Sequence, residues 1–309
     1  ISFGTATVFE TAATLLSTRS VAYDANAQKV VIAYRDYGNS SNGTAIVGTV
    51  SGTSISFGGA TVFETGSSVH FSVVYDANAQ KVVIAYEDGG NSNHGTAIVG
   101  TVSGTSISFG SPVVFESADS RWISAVYDAS AQKVVIAYED NGNSNYGTAI
   151  VGTVSGTSIS FGTAVVFESA NAEGMSAAYD ANAQKVVIAY EDRDNNDYGT
   201  AIVGTVSGTS ISFGTAAVFE TAASANLSAV YAANSQKVVI AYRDGGNSNH
   251  GTVIVGTVSG TSISFGTATV FETAASDYIS AVYDTNAQNV VIAYEDGGNS
   301  NHGTAIVGT

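Results

Sequence analysis

The chain closes on Ile279–Asp296, ISAVYDTNAQNVVIAYED, followed at 297–309 by GGNSNHGTAIVGT, and with small changes this passage occurs six times in the sequence. The tetrapeptide ISFG marks the copies. It begins at Ile1, Ile55, Ile107, Ile159, Ile211 and Ile263, at spacings of 54, 52, 52, 52 and 52 residues. Self-similarity at a period of this size is the signature of a solenoid, a propeller or an array, because one unit cannot bury its apolar face alone and stacked neighbours can.

Each copy holds four short apolar runs. In the third they are WISAVYD (122–128), KVVIAYED (133–140), GTAIVGTV (147–154) and TSISFGTAVVFE (157–168). Val, Ile, Tyr, Phe and Thr dominate them, and Gly, Asn, Asp and Ser clusters bound them, which is strand chemistry. The connections DASAQK and VSGTS are short enough for antiparallel hairpins, EDNGNSNYG is longer, and SADSR leads to the next copy. Each repeat is therefore expected to be a four-stranded antiparallel meander. A run such as VVIAY is apolar on both faces, so neighbours must cover it on both sides. Four-stranded units packed face to face around an axis make a β-propeller, with a stacked β-solenoid as the rival.

The expected fold is all-β: a single six-bladed β-propeller domain over 1–309. Its blades lie at about 11–64, 65–116, 117–168, 169–220, 221–272, and 273–309 plus 1–10. Residues 1–10, ISFGTATVFE, are a fourth-type strand with no blade before it, and 303–309, GTAIVGT, a third-type strand with none after it. Pairing 1–10 with the last blade would close the ring and remove an exposed edge.

The order of elements around S-x-V-Y-D-A-N-A-Q-K-V-V-I-A-Y-x-D, ending in VFE, resembles blades of the six-bladed sialidase-like propellers. The resemblance spans all six copies. The Asp-box turn of that family, Ser-x-Asp-x-Gly-x-x-Trp, is absent, and VSGTS stands in its place. The resemblance implies that first strands line the axis. It also implies that the functional face is where fourth-to-first and second-to-third connections emerge.

With a net charge of −16, the chain is unsuited to nucleic acid or an anionic membrane. No apolar run approaches the roughly 18 residues of a membrane span. Without cysteine there are no disulfides and no thiolate zinc sites. The start at Ile1 suggests a domain of a longer chain, monomeric by itself, and the Ser/Thr/Asn/Gly richness suits an extracellular, virion or cell surface.

The two edges of the repeat differ. DANAQK scarcely varies, VSGTS is identical at all five places, and all five lysines lie with them. On the other edge, positions before the first strand read Ser17–Thr18, Val69–His70, Arg121–Trp122, Glu173–Gly174, Ala225–Asn226 and Asp277–Tyr278, and the first copy adds Arg19. In the second-to-third loop one column reads Tyr37, Gly89, Asn141, Arg193, Gly245 and Gly297. Every arginine, every histidine and the one tryptophan fall on this edge. Such residues carry contact energy at binding sites, although long loops also simply tolerate change. The candidate ligand-binding residues are Arg19, Tyr37, His70, Arg121, Trp122, Glu173, Arg193, Asn226, Asp277 and Tyr278. Because they differ from copy to copy, they favour one composite site near the axis over one equal sugar site per blade.

No acid–base constellation recurs that would mark catalysis. The runs DGGNSN (88–93) and DRDNND (192–197) offer oxygens to Ca²⁺ without the spacing of an EF-hand loop. Asx turns are the commoner use of such residues, and no cofactor is expected. The reading is a non-enzymatic binding module, lectin-like or receptor-binding, whose partner is a glycan or a surface receptor protein. The alternatives are a protein–protein interaction scaffold or structural propeller, and then a glycosidase.

Overall fold

The computed structural model describes residues 4–14 and 19–309. These fall into two compact units, one of residues up to 127 with 132–142 and 150–163, the other of 128–131, 143–149 and 164–309. The same ladder recurs in both.

In the first unit, Lys81–Asp88 is the second strand of a repeat, His94–Ser103 the third and Ser106–Phe109 the fourth. Second and third strands pair antiparallel from Val82↔Gly100 to Asp88↔His94. Third and fourth pair from Gly100↔Phe109 to Ser103↔Ser106, across a two-residue Gly–Thr turn in which Gly104 has φ +61°. That backbone is one only glycine enters freely, which accounts for the constancy of VSGTS. Val82, Val83, Ile84, Ala85 and Tyr86 are all fully buried, as a strand covered on both faces must be. Each such Val or Ile contributes about 1.5–3 kcal/mol by leaving water.

The passage between repeats departs from the expected loop. Thr61–Asp76 is one 16-residue strand. Its first part pairs with the third strand of its own repeat (Thr44↔Val62, Gly43↔Glu64), and its last part with the second strand of the next (Ser72↔Ala85, Asp76↔Lys81). Val113–Asp128 does the same, so SADSR is strand and not connection. The expected single fourth strand is broken instead at residues 110–112. There a Cβ on Gly110 would lie 1.9 Å from the carbonyl oxygen of Thr157, and Pro112 has no N–H to give a ladder.

Repeats are fastened by side chains from the constant motifs. Tyr86 and Tyr138, fully buried, donate their hydroxyls to Glu64 and Glu116 at 3.3 Å, and Phe63 and Phe115 meet these rings edge-on at 5.3 and 5.2 Å. In the second unit Tyr190 donates to Glu168 at 2.8 Å and Tyr242 to Glu220 at 3.1 Å. First strands are stitched through serine: Ser20 accepts the N–H of Val73, Ser72 that of Ala125, Ser176 that of Ala229 and Ser228 that of Ala281.

At the start of the chain, Phe9 packs on Tyr34 and Phe57, and Glu10 accepts the Tyr34 hydroxyl, the place VFE takes on every following repeat. The strand pairing expected between 1–10 and the last blade is not among the ladders of the described residues. Residues 4–10 carry no strand, and His302–Gly308 is laddered on Asn289–Asp296 alone. The partners of Phe9 and Glu10, Tyr34 and Phe57, belong to the repeat that follows, so these two residues are held without a ladder.

Candidate functional site

Where each long strand enters the next repeat, it holds one residue too many. Val69 stands opposite Glu87 and Ser72 opposite Ala85, so that His70 and Phe71 share one partner position. The same bulge recurs between Glu173 and Ser176, Ala225 and Ser228, and Asp277 and Ser280. Its first residue is left-handed in every case: His70 φ +50°, Trp122 +49°, Gly174 +58°, Asn226 +55° and Tyr278 +51°. The second members of the variable pairs are therefore bulge residues, thrown out of the ladder by the backbone. Glycine suits this conformation, and a bulky side chain there is an outlier costing about 1–2 kcal/mol.

In the first unit this brings three predicted residues together. The rings of His70 and Trp122 lie 5.3 Å apart at 60°, and Trp122 is 39% exposed. Arg121 Nη2 reaches Asp119 Oδ2 at 2.6 Å, and Asn141 Nδ2 donates to the same oxygen at 2.7 Å. His70 Nε2 sits 3.7 Å from Glu87 Oε2. Burial, then the Coulombic field of Asp119, push the Glu87 carboxyl up to about 7, with Arg121 opposing. Burial and then Arg121 lower the His70 imidazole, with Asp119 opposing. Both groups are thus drawn toward neutrality, and their contact is a polar one rather than an ion pair. An exposed indole face beside a fixed guanidinium–carboxylate pair gives a stacking surface with donors and acceptors at its rim.

The second unit holds two further clusters. Asn226 Nδ2 donates to Asp277 Oδ1 at 3.0 Å, Arg243 Nη1 pairs with the same oxygen, and Tyr278 beside it is 51% exposed. Arg193 lies 3.4 Å from Glu173 and 3.1 Å from Asp197. Burial, then Glu173, push Glu191 up to about 7, against Arg193.

Of the other predicted residues, Arg19 opens the strand Arg19–Asp24, its side chain lying outside what is described, as do Ser17 and Thr18. Tyr37 lies in the short turn Tyr37–Asn39, under the Arg35 guanidinium 4.6 Å from its ring centre. Within each unit the predicted residues meet locally, His70 with Trp122 and Arg121 in the first, and Arg193 with Glu173 and Asn226 with Asp277 in the second. Sequence reasoning missed Glu87, Glu191, Asp119 and Arg243. Glu87, Glu191 and Arg243 stand in a column that reads Arg35, Glu87, Glu139, Glu191, Arg243 and Glu295, and their charge said nothing of burial.

Of the acids in the two runs read as candidate Ca²⁺ ligands, Asp88 is occupied with the backbone and Asp197 with Arg193. Asp88 accepts the N–H of Gly90, Asp244 that of Asn247 and Asp296 that of Gly298, all as turn caps. The VFE glutamates also cap, Glu64 accepting the N–H of Gly66 and Glu116 that of Ala118. Among the described residues no three His, Asp or Glu side chains gather as a metal site.

No family model matches the chain, and no curated protein is similar to it in sequence. Solved structures are similar in fold. The BP39L lectin from Burkholderia pseudomallei superposes with a TM-score of 0.66 at 10% identity, over 95% of this chain and 82% of that one. The fungal lectin of Aleuria aurantia, described as a six-bladed β-propeller with a novel fucose recognition mode, does so at 0.54 and 12% identity, over 95% and 92%. A mutant Trypanosoma rangeli sialidase with trans-sialidase activity matches at 0.53 and 13%, over 94% of this chain and 53% of its own. The fold is a six-bladed β-propeller of four-stranded antiparallel blades, with blades like those of the sialidase-like propellers.

Proposed function

We propose, with the six-bladed propeller fold as premise, that this chain is a non-enzymatic, lectin-like module that binds glycans through the side chains of its bulge column. The observation that carries the reading is the left-handed column itself. A bulge with a purely structural role is best served by glycine, which one repeat has at Gly174. Three others hold His70, Trp122 and Tyr278 in the same strained backbone. Strain of about 1–2 kcal/mol per residue persists where something else requires the side chain. An exposed ring flanked by Arg121 and Asp119, or by Asn226 and Asp277, is suited to a sugar: its C–H face stacks and its hydroxyls meet fixed donors and acceptors. The fold likeness to lectins supports the same class. The glycan is one displayed by a surface receptor, and the module works extracellularly or on a virion or cell surface.

A glycan array tests this with the wild-type chain beside Arg121→Ala/Trp122→Ala. Binding is expected in the wild type and lost, by about tenfold or more, in the double variant. A wild-type chain that binds no glycan overturns the reading. A fluorogenic sialoside left unhydrolysed separates the module from a glycosidase.

A further inference from the structure

We infer that the hairpin edge of the repeats is a second binding surface, on which the glutamine and lysine that end each turn receive an acidic polysaccharide. The inference stands apart from the glycan reading above, which uses the opposite edge.

The charge of the chain is divided between the edges. Asp24, Asp76, Asp128, Asp180 and Asp284 equal the five lysines in number, so the net charge of −16 belongs to the bulge edge, with all five arginines. Asp24, Asp76, Asp128 and Asp180 are only 1–2% exposed, and the Oδ1 of each accepts two N–H groups of its own turn. The charge these turns present to water is therefore that of Lys29, Lys81 and Lys133 in the first unit and of Lys185 and Lys237 in the second. Among the described residues none of the five enters an ion pair.

The lysines do not serve the aspartates that they face across the ladder. The fifth repeat has Ala232 in place of Asp and keeps Lys237, and the sixth has Asn289 in place of Lys and keeps Asp284. The glutamine before this position is equally unexplained by the fold. From Gln28 to Gln288 it is present and exposed in all six copies, at φ between +54° and +59°. Glycine or asparagine enters that backbone more freely. Among the described residues no hydrogen bond holds the glutamine side chain. Strain kept in every copy points to something that the side chain meets outside the fold.

The chemistry of the pair names its partner. An ammonium is a compact charge with three donors, and an amide both donates and accepts. Side by side they match an acidic group with a hydroxyl next to it. Adjacent turns touch, Asn78 N–H reaching the Tyr127 hydroxyl and Ser130 N–H that of Tyr179. The pairs thus recur once per repeat and suit a polymer, in which each contact makes the next one intramolecular. A net charge of −16 opposes a dense polyanion such as nucleic acid, which leaves a more sparsely charged polysaccharide.

Surface plasmon resonance of the whole chain compares immobilised chondroitin sulfate with neutral dextran and single-stranded DNA. Chondroitin sulfate is expected to hold the chain about tenfold more tightly than either, and to release it as salt rises. Lys81→Gln/Lys133→Gln and Lys185→Gln/Lys237→Gln should each weaken binding by about tenfold, and arginine at the same positions should keep it. Gln80→Gly/Gln132→Gly leaves the net charge unchanged. It should raise the thermal midpoint and weaken binding several-fold, which a purely structural glutamine would not do. Equal retention on dextran, equal binding of DNA, or lysine or glutamine variants that bind like wild type overturn the inference. Binding lost in Arg121→Ala/Trp122→Ala instead assigns the polymer to the bulge column and also overturns it.

Discussion

The two edges of each repeat are made from similar residue types and behave in opposite ways. On the hairpin edge, Asp76 accepts the N–H groups of Asn78 and Ala79 at 2.9 Å, while Asn78 N–H also reaches the hydroxyl of Tyr127 from the next repeat at 3.1 Å. Asp24 with Tyr75 repeats the arrangement. The turn is held at once by its own aspartate and by the tyrosine of the next repeat, so it depends on two constant side chains. On the bulge edge the partners are individual, His70 with Trp122 in one place and Asn226 with Asp277 in another. Constancy follows shared hydrogen bonds, and diversity follows positions that the repeat geometry places but does not bond.

The sharpest way to break this contrast is in the fastening that all repeats share. Tyr138→Ala removes a fully buried ring and its bond to Glu116, and is expected to lower stability by about 3–5 kcal/mol. A loss under about 1 kcal/mol by urea denaturation would show that the constant residues are not what joins the repeats.

Glu87→Gln tests the variable edge by pH. The folded carboxyl, at about 7, lies above its unfolded value near 4.3, so the folded chain keeps a proton that the unfolded chain has lost. Stability from this group is present below pH 4.3 and is lost as pH rises through 7. The variant should be more stable than wild type by about 3–4 kcal/mol at pH 8 and equal to it near pH 4. A variant less stable at pH 8 reverses the sign and refutes the buried, poorly compensated carboxyl.

Asp76→Ala should cost about 2 kcal/mol, for two backbone donors lost from a charged acceptor. The fifth repeat sharpens this comparison, because Ala232 already stands where the others have Asp, and there Asn234 accepts the N–H of Ser235 instead. Ala232→Asp is expected to gain up to about 1 kcal/mol in thermal unfolding.

The smallest effect expected is the most pointed. Trp122→Gly relieves a left-handed tryptophan and should raise stability by about 1 kcal/mol, less what is lost with the His70 contact, while abolishing glycan binding. A variant that loses stability and keeps binding would make Trp122 a packing residue.

Much of this was legible before any coordinates. The period of 52 residues, the short apolar runs and the Gly–Thr turns point to four-stranded units packed on both faces, since VVIAY is apolar on both. The division into a constant and a variable edge was equally readable, because repetition exposes which positions the copies share. The site was legible only in outline. His70, Arg121 and Trp122 could be nominated by type, but nothing in VHFS or RWIS announces a one-residue bulge, which is fixed by where the neighbouring ladder places Ala85 and Glu87.

The sequence alone thus determined the repeat, its strands, its core and the location of its diversity, since these follow from local pattern copied six times. Only the tertiary structure decided that SADSR is strand, that the variable residues stand on left-handed bulges, and that Glu87 and Glu191 are buried acids while Glu64 and Asp88 are caps. A carboxylate's role depends on the donors and the water around it: Glu64 and Asp88 find N–H groups two residues on, while Glu87 is buried and meets the field of Asp119 from another repeat, which no local reading of a glutamate contains.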